Sequence, residues 1–227
     1  MEINLDQIKR AYGNNVSLEI LEKIQNKTGK EVEINSEDFE SIYNIGVAFE
    51  ELEKYEEAIA CFDKLLQINP KHVDTIFNKA GSLANLEKNN ESISCYDKIL
   101  EINPQDIRAL SQKGLTLAKV GKQKDAVECY DKVLKLQPNN ITSLCNKGVA
   151  LARLEKHDKA IECYDDVLKI EENHTKTLSN RGVSLCILGD VEEGIDCFYK
   201  ALEVTPNEPT ILTNLSNAMS LIQKNDK

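Results

Sequence analysis

The chain has 227 residues, of which 29 % are charged and 41 % hydrophobic, a balance that is typical of globular proteins and excludes disordered and fibrous classes. The 38 acidic residues outnumber the 28 basic ones, and the net charge of −10 argues against nucleic acid or an anionic membrane surface as the main partner. No segment resembles a secretory signal or a membrane span, and seven cysteine residues is an odd number, so we expect reduced thiols and a cytoplasmic location.

Residues 1–38 read as two short helices, 3–12 and 17–27, around the break at Gly13, Asn14 and Asn15. Two interpretations remain open for this segment. It either caps the N-terminal end of the structure that follows, or it docks into the groove of another copy.

From residue 39 onward, a cysteine followed by an aromatic residue recurs every 34 residues. The pairs are Cys61-Phe62, Cys95-Tyr96, Cys129-Tyr130, Cys163-Tyr164 and Cys197-Phe198. Proline recurs with the same period, except that Glu172 takes its place once. This period predicts five stacked units, with positions numbered 1 to 34 in each. The units are 39–72, 73–106, 107–140, 141–174 and 175–208.

Each unit has the pattern of two antiparallel helices joined by a short turn. In the third unit, apolar residues at helical spacing lie on both sides of Gly121, and glycine suits the left-handed residue that ends a helix. Pro138 then closes the second helix. Small residues recur at position 8 of the first helix and position 20 of the second, which predicts close helix contact there. At position 8 they are Gly46, Ala80, Gly114, Gly148, Gly182 and, in the segment after the last unit, Ser216.

Small residues at positions 8 and 20, an aromatic residue at 24 and proline at 32 resemble the tetratricopeptide repeat. The runs Asn146-Lys147-Gly148 and Ala160-Ile161-Glu162-Cys163-Tyr164 are typical of that family. The resemblance implies an all-α, right-handed α-α superhelix in which the first helices line a concave groove that binds a partner protein or peptide.

Residues 209–227 repeat the first-helix pattern once more. We expect a C-terminal capping helix there, with Leu212, Leu215, Met219 and Ile222 facing inward.

The periodic cysteines suggest a metal or redox site, but one thiol per unit cannot converge on one ion, so we expect buried apolar side chains. Cys145 and Cys186 fall outside the series, at positions predicted to face the groove. No phosphate-binding loop, metal-ligand spacing or catalytic constellation is present. The sequence therefore predicts no catalytic residue, no metal, no cofactor and no enzymatic activity.

An amide side chain recurs at position 6 of the first helix. The series is Asn44, Asn78, Gln112, Asn146, Asn180 and Asn214. Such a ladder could bind the backbone of an extended peptide, as groove asparagines of similar tetratricopeptide proteins do, or each amide could bond a neighbouring repeat. Other candidate groove residues are the aromatic pair Tyr43 and Phe77 and the basic residues Arg108, Lys119, Arg153 and Lys176.

These residues predict a groove that is acidic near its N-terminal end and basic further along. We therefore expect a protein-interaction scaffold that binds an extended, acidic peptide, acts as a monomer or associates weakly with itself, and binds neither nucleic acid nor membrane. The alternative is a regulatory or substrate-recognition subunit whose enzyme is a separate chain.

Overall fold

The computed structural model describes residues 39–225, and for residues 223–225 it describes the backbone only. The segment 1–38, for which the sequence predicts helices, lies outside the described residues. The described chain folds into eleven α-helices. In order they are α1 (Phe39–Glu51), α2 (Tyr55–Ile68), α3 (Val73–Asn85), α4 (Asn89–Ile102), α5 (Ile107–Lys119), α6 (Gln123–Leu136), α7 (Ile141–Arg153), α8 (His157–Ile170), α9 (Thr175–Leu188), α10 (Val191–Val204) and α11 (Pro209–Asn225).

The prediction of an all-α protein built from five helical hairpins and one further helix is confirmed for these residues. The described chain divides into two compact units, residues 39–109 and residues 110–225. In the first unit α1 packs on α2, α2 on α3 and α3 on α4. In the second, the helices from α6 to α11 each pack on the next.

Each unit has its own apolar core, formed where the hairpins stack. In the first, Phe49, Phe62 and Leu65 are at most 1 % exposed. In the second, Leu178 and Phe198 lie in a cluster with residues of α11. Because every hairpin contributes the same positions to the core, burial follows the 34-residue period.

The small residue at position 8 lies against the aromatic ring at position 24 of its own hairpin. A Cβ atom on Gly114 would stand only 2.7 Å from Cε1 of Tyr130, and one on Gly46 only 2.6 Å from Cε1 of Phe62. Carbon atoms pack best at about 3.5–4.0 Å. Glycine at this position therefore lets the two helices approach until the ring covers the backbone, as the sequence pattern predicted.

Turns and caps repeat with the same period. The residue at position 15, between the two helices of a hairpin, has a positive φ angle. These residues are Glu53 (58°), Glu87 (60°), Gly121 (82°), Glu155 (59°) and Gly189 (102°). At position 34, a side chain caps the next first helix: Asn140 accepts a hydrogen bond from the N–H of Ser143 at 2.9 Å, and His174 Nδ1 accepts one from Thr177 at 3.3 Å.

The orientation predicted for α11 is partly wrong. Leu215 is buried, together with Ile211 and Ala218, but Leu212 is 43 % and Met219 41 % exposed. In the five hairpins the second helix covers these positions, and no described helix does so for α11. A first helix therefore has two apolar faces, one that packs on the preceding hairpin and one that its own second helix covers. In α11 only the first of these faces is buried.

None of the described helices is both long and apolar enough to cross a lipid bilayer.

Candidate functional site

Most of the predicted groove residues fall on one stripe of each first helix, and Tyr43 and Phe77 lie beside it at position 5. Positions 2, 6, 9 and 13 are separated by three or four residues, so their side chains point from the same face of a helix. We call this surface the first-helix stripe, and we describe it separately for each compact unit. None of its residues is classed as buried.

In the first unit the stripe belongs to α1 and α3 and is acidic. Its exposed positions on these two helices hold Glu40, Glu51, Asp74 and the uncharged Asn85. Arg108, at the start of α5, donates a hydrogen bond to Asp74 at 2.9 Å, and both side chains are more than half exposed. The hydrogen bond to Asp74 raises the pKa of the Arg108 guanidinium, whose carbon atom also lies 5.0 Å from the ring centre of Phe77. Arg108 is thus held by acidic and aromatic neighbours of its own unit.

Tyr43 and Asn78 also form a contact between neighbouring hairpins. The amide nitrogen of Asn78 donates a hydrogen bond to the Tyr43 hydroxyl at 3.0 Å. Burial, with a contribution from the nearby carboxylate of Asp74, raises the pKa of the Tyr43 phenol. Asn78 therefore bonds a neighbouring repeat, which is one of the two roles that the sequence allows for the amides at position 6.

The amides in the second unit have a different environment. Gln112 is exposed, and Asn146, Asn180 and Asn214 are half-buried. Among the described residues, no side-chain hydrogen bond is formed by Asn146 or Asn180. These two amides therefore have donors and acceptors available to a ligand, unlike Asn78.

Among the helices of the second unit, only the second helix of each hairpin carries carboxylates. The first helices α7, α9 and α11, and the part of α5 in this unit, contain no aspartate or glutamate. Their stripe carries three exposed cations, Lys119, Arg153 and Lys176. The second helices α6, α8 and α10 all carry carboxylates. In this unit, a chain with a net charge of −10 thus presents a first-helix stripe without acidic side chains.

Exposed apolar side chains lie on the same stripe. Leu115 is 50 % exposed at position 9 of α5, Ile187 is 60 % exposed at position 13 of α9, and Leu221 is 42 % exposed at position 13 of α11. Position 13 therefore changes from basic in α5 and α7 to apolar in α9 and α11.

Sequence reasoning missed a second periodic feature beside the stripe. The cation at position 7 pairs with the aspartate at position 25 of the preceding hairpin. Lys147 Nζ lies 2.7 Å from Asp131, and Arg181 Nε lies 2.7 Å from Asp165. Burial alone would lower the pKa of the Arg181 guanidinium, but its hydrogen bonds, including one to Asp165, raise it overall. These pairs connect neighbouring hairpins, so the position-7 cations are not counted among the ligand-facing charges.

The cysteines are all free thiols. The periodic five are buried as predicted, and burial raises the pKa of Cys163 to about 11. Cys145 Sγ lies 3.2 Å from Thr177 Oγ1 on the neighbouring first helix. The prediction that Cys186 faces the groove is wrong, because its sulfur packs where a side chain on Gly194 of α10 would lie. Within residues 39–225, no group of three or more His, Cys, Asp or Glu side chains is arranged to hold a metal ion.

Three family models match the chain. Two are described as the tetratricopeptide repeat and match residues 39–72 and 73–106. The third is described as the N-terminal TPR repeats region of Psidin and matches residues 118–226. No curated protein matches the chain in sequence.

Solved structures share this fold at low sequence identity. MamA residues 41–end from Desulfovibrio magneticus RS-1 has a TM-score of 0.71 and 20 % identity, over 75 % of this chain and 97 % of that one. Another MamA crystal structure has a TM-score of 0.67 and 21 % identity, over 70 % of this chain and 94 % of that one. YrrB, described as a TPR protein with an unusual peptide-binding site, has a TM-score of 0.68 and 19 % identity, over 85 % of this chain and 96 % of that one. At this identity the similarity establishes the fold alone.

Proposed function

The chain belongs to the tetratricopeptide-repeat family over residues 39–106 and 118–226, and we propose that the first-helix stripe of residues 110–225 binds an extended acidic segment of a partner protein. The repeat is typically a non-enzymatic interaction scaffold, and YrrB is a structural neighbour described as having a peptide-binding site. The seven free thiols fit a reducing compartment, and a cytoplasmic location is part of the proposal.

The separation of charge in the second unit is the observation that carries this proposal. Carboxylates lie on the second helices, while the stripe of α7 and α9 offers the exposed cations Arg153 and Lys176 on helices that contain no aspartate or glutamate. An acidic ligand is therefore attracted to the stripe and repelled by the net negative charge of α8 and α10. Such complementarity sets orientation and the rate of association more than the final affinity.

The amides supply contacts that do not depend on the ligand's sequence. Asn146 and Asn180 lie on neighbouring first helices, and each side chain can donate to a peptide carbonyl and accept from a peptide N–H. Neighbouring helices pack about 8–10 Å apart, and an extended chain advances about 3.3 Å per residue. One repeat therefore corresponds to about three ligand residues, and the four first helices of this unit to a segment of roughly ten.

The exposed apolar residues give the ligand a direction. Acidic ligand residues are expected beside Lys119 and Arg153, and an apolar residue beside Ile187 and Leu221. We accordingly expect carboxylates at one end of the bound segment, spaced by about three residues, and an apolar anchor at the other.

Selection of a displayed library of random ten-residue peptides on the full chain tests the proposal. We expect enrichment of Asp and Glu at one end, and binding that weakens as salt is raised. Arg153→Glu should abolish the acidic preference, whereas Lys132→Glu makes the same charge change at an exposed position of α6 and should leave it intact.

Two results would contradict the proposal. The first is a set of selected peptides without acidic enrichment, and the second is an equal loss of binding in the two charge reversals, as expected of an effect of net charge alone. Asn146→Ala with Asn180→Ala tests the amides separately, and a loss of binding at an unchanged melting temperature supports their role.

A further inference from the structure

One face of α11 is apolar and uncovered. Leu212 at position 4 and Met219 at position 11 are 43 % and 41 % exposed, and Ser216 between them is also exposed. In the five hairpins the residues at positions 4 and 11 are at most 6 % exposed. The position-4 set is Ile42, Ile76, Leu110, Leu144 and Leu178, and the position-11 set is Phe49, Leu83, Leu117, Leu151 and Leu185.

In each hairpin the covering element is the second helix, which brings an aromatic ring onto the small residue at position 8. Among the described residues, no helix covers this face of α11. The face nevertheless keeps the small residue, Ser216, that allows another helix to approach closely. It is therefore a helix-packing surface of the kind that the chain covers five times elsewhere.

The electrostatics of α11 favour a second copy of the chain as the element that covers it. From residue 209 to residue 223 the helix has no charged side chain, and Lys224 is its only charge. Two copies, each with a net charge of −10, repel one another over most of their surfaces. The helices α6, α8 and α10 carry carboxylates, whereas the uncovered face of α11 carries no charge, so two copies can approach there without bringing like charges together.

The spacing along α11 is self-complementary. Leu212 precedes Ser216 by four residues, and Met219 follows it by three. A two-fold axis through Ser216 would set the two helices antiparallel, with Leu212 of each copy against Met219 of the other. The two serines would meet at the centre, where small side chains permit close packing. Such isologous contacts are the commonest way in which identical chains associate.

We propose that the chain forms a two-fold symmetric dimer through the α11 face made by Leu212, Ser216 and Met219. This inference does not rest on the peptide-binding proposal. It sharpens the expectation of a monomer or weak self-association into a specific interface.

Light scattering and sedimentation of the full chain over a wide concentration range test the dimer. We expect reversible dimerisation that Ser216→Glu disrupts, because it places two carboxylates at the axis. Two like charges about 6 Å apart in a partly buried contact should raise the dimer Kd by roughly a hundredfold. Asn217→Glu adds the same charge at the next, exposed residue and should have a much smaller effect.

A charge-swap experiment separates a direct contact from damage to the fold. Ser216→Glu and Ser216→Lys should each be monomeric, and an equimolar mixture should form heterodimers. Both variants should keep the melting temperature of the dilute wild-type chain, because Ser216 is exposed in the single chain.

Three outcomes would overturn the proposal. The wild-type chain could remain a monomer at every concentration, the dimer could survive Ser216→Glu unchanged, or the mixture of Glu and Lys variants could fail to associate. A dimer that is lost on deletion of residues 1–38 but persists in Ser216→Glu would assign the contact to that segment instead.

Discussion

Replacing Gly148 by alanine should destabilise the chain although alanine is the better helix former. A Cβ atom at this position would lie 2.9 Å from Cδ1 and 3.0 Å from Cζ of Tyr164, and nearer still to Cε1. The optimum separation of two carbon atoms is about 3.5–4.0 Å. Tyr164 is 1 % exposed, so its ring has no solvent-filled space into which to move.

The expected magnitude follows from two opposing terms. Overpacking of a core costs about 1–3 kcal/mol, and glycine to alanine in a helix gains about 1 kcal/mol. The second hairpin carries Ala80 opposite Tyr96, so a hairpin can be built around this methyl group, and the cost should be about 2 kcal/mol rather than the upper limit. We expect a net loss of about 1 kcal/mol for Gly148→Ala, and a larger loss for Gly148→Leu.

Gly81 provides a matched control in the interior of α3. The nearest atom to a Cβ there is Glu50 Oε1 at 3.8 Å, which is ordinary contact. Gly81→Ala should therefore stabilise the chain by about 0.5–1 kcal/mol. In a chain of this length the two variants should move the melting temperature by about 2–4 °C in opposite directions.

Chemical and thermal unfolding of the two variants tests whether the ring at position 24 limits how closely the helices approach at position 8. If Gly148→Ala stabilised the chain as much as Gly81→Ala does, the contact between position 8 and the ring at position 24 would not limit helix approach. Adding Tyr164→Leu to Gly148→Ala gives a further check, because a smaller side chain should recover part of the loss.

Four other substitutions test different parts of the structure by the same unfolding measurements. Tyr130→Phe should stabilise the chain by about 1 kcal/mol, because the Tyr130 hydroxyl is buried and has no hydrogen-bond partner among the described residues; a loss of stability would show that the hydroxyl is satisfied. Glu155→Gly should stabilise it by about 1 kcal/mol, since φ is 59° at Glu155, whereas Gly121→Ala at the equivalent turn should cost a similar amount. Burial raises the pKa of the Cys163 thiol to about 11, so the folded chain favours the protonated thiol. The stabilisation by the buried thiol is therefore complete below the pKa of an unfolded thiol and is lost as pH rises towards 11. Cys163→Ala should therefore lose less stability between pH 8.5 and 10.5 than the wild type, and equal losses would contradict this.

The hairpins could be predicted from the sequence because their signals are local. Proline at position 32, small residues at positions 8 and 20 and helical apolar spacing all act within one unit. The left-handed turn at Gly121 was predictable for the same reason, since glycine favours that conformation. Glu155 has the same conformation without a sequence signal, because the packing of the two helices determines the turn.

The contacts between neighbouring hairpins were harder to foresee. The pair of Lys147 with Asp131 joins residues 16 apart in sequence, on different helices of different repeats. The sequence pattern behind this pair is a basic residue at position 7 and an acidic residue at position 25 in each of units two to four. The pattern predicts an ion pair only once it is known which helices stack on each other. Similarly, Asn78 bonds Tyr43 at position 5 of the preceding first helix, whereas Asn146 is preceded by Ser111 at that position, and this difference becomes informative only once the stacking is known.

The orientation of α11 could not be predicted because the same side chains are buried or exposed according to what packs on them. Leu178 is 4 % exposed beneath α10, and Leu212 at the same position is 43 % exposed. The repeat pattern predicts that a residue can pack against a second helix, but the residue is buried only where such a helix is present.

The two proposed surfaces can act together because they lie on different sides of the first helices. At 3.6 residues per turn, positions 2, 6, 9 and 13 point about 160° away from positions 4, 8 and 11. In the hairpins the latter face is covered by the second helix, which leaves the stripe as the exposed side. In α11 both faces are exposed, so Leu212 and Met219 can pack against a second copy while Asn214 and Leu221 remain on the stripe. A dimer formed in this way keeps two acidic-peptide sites, and a ligand carrying two such segments would bind it more tightly than either segment alone.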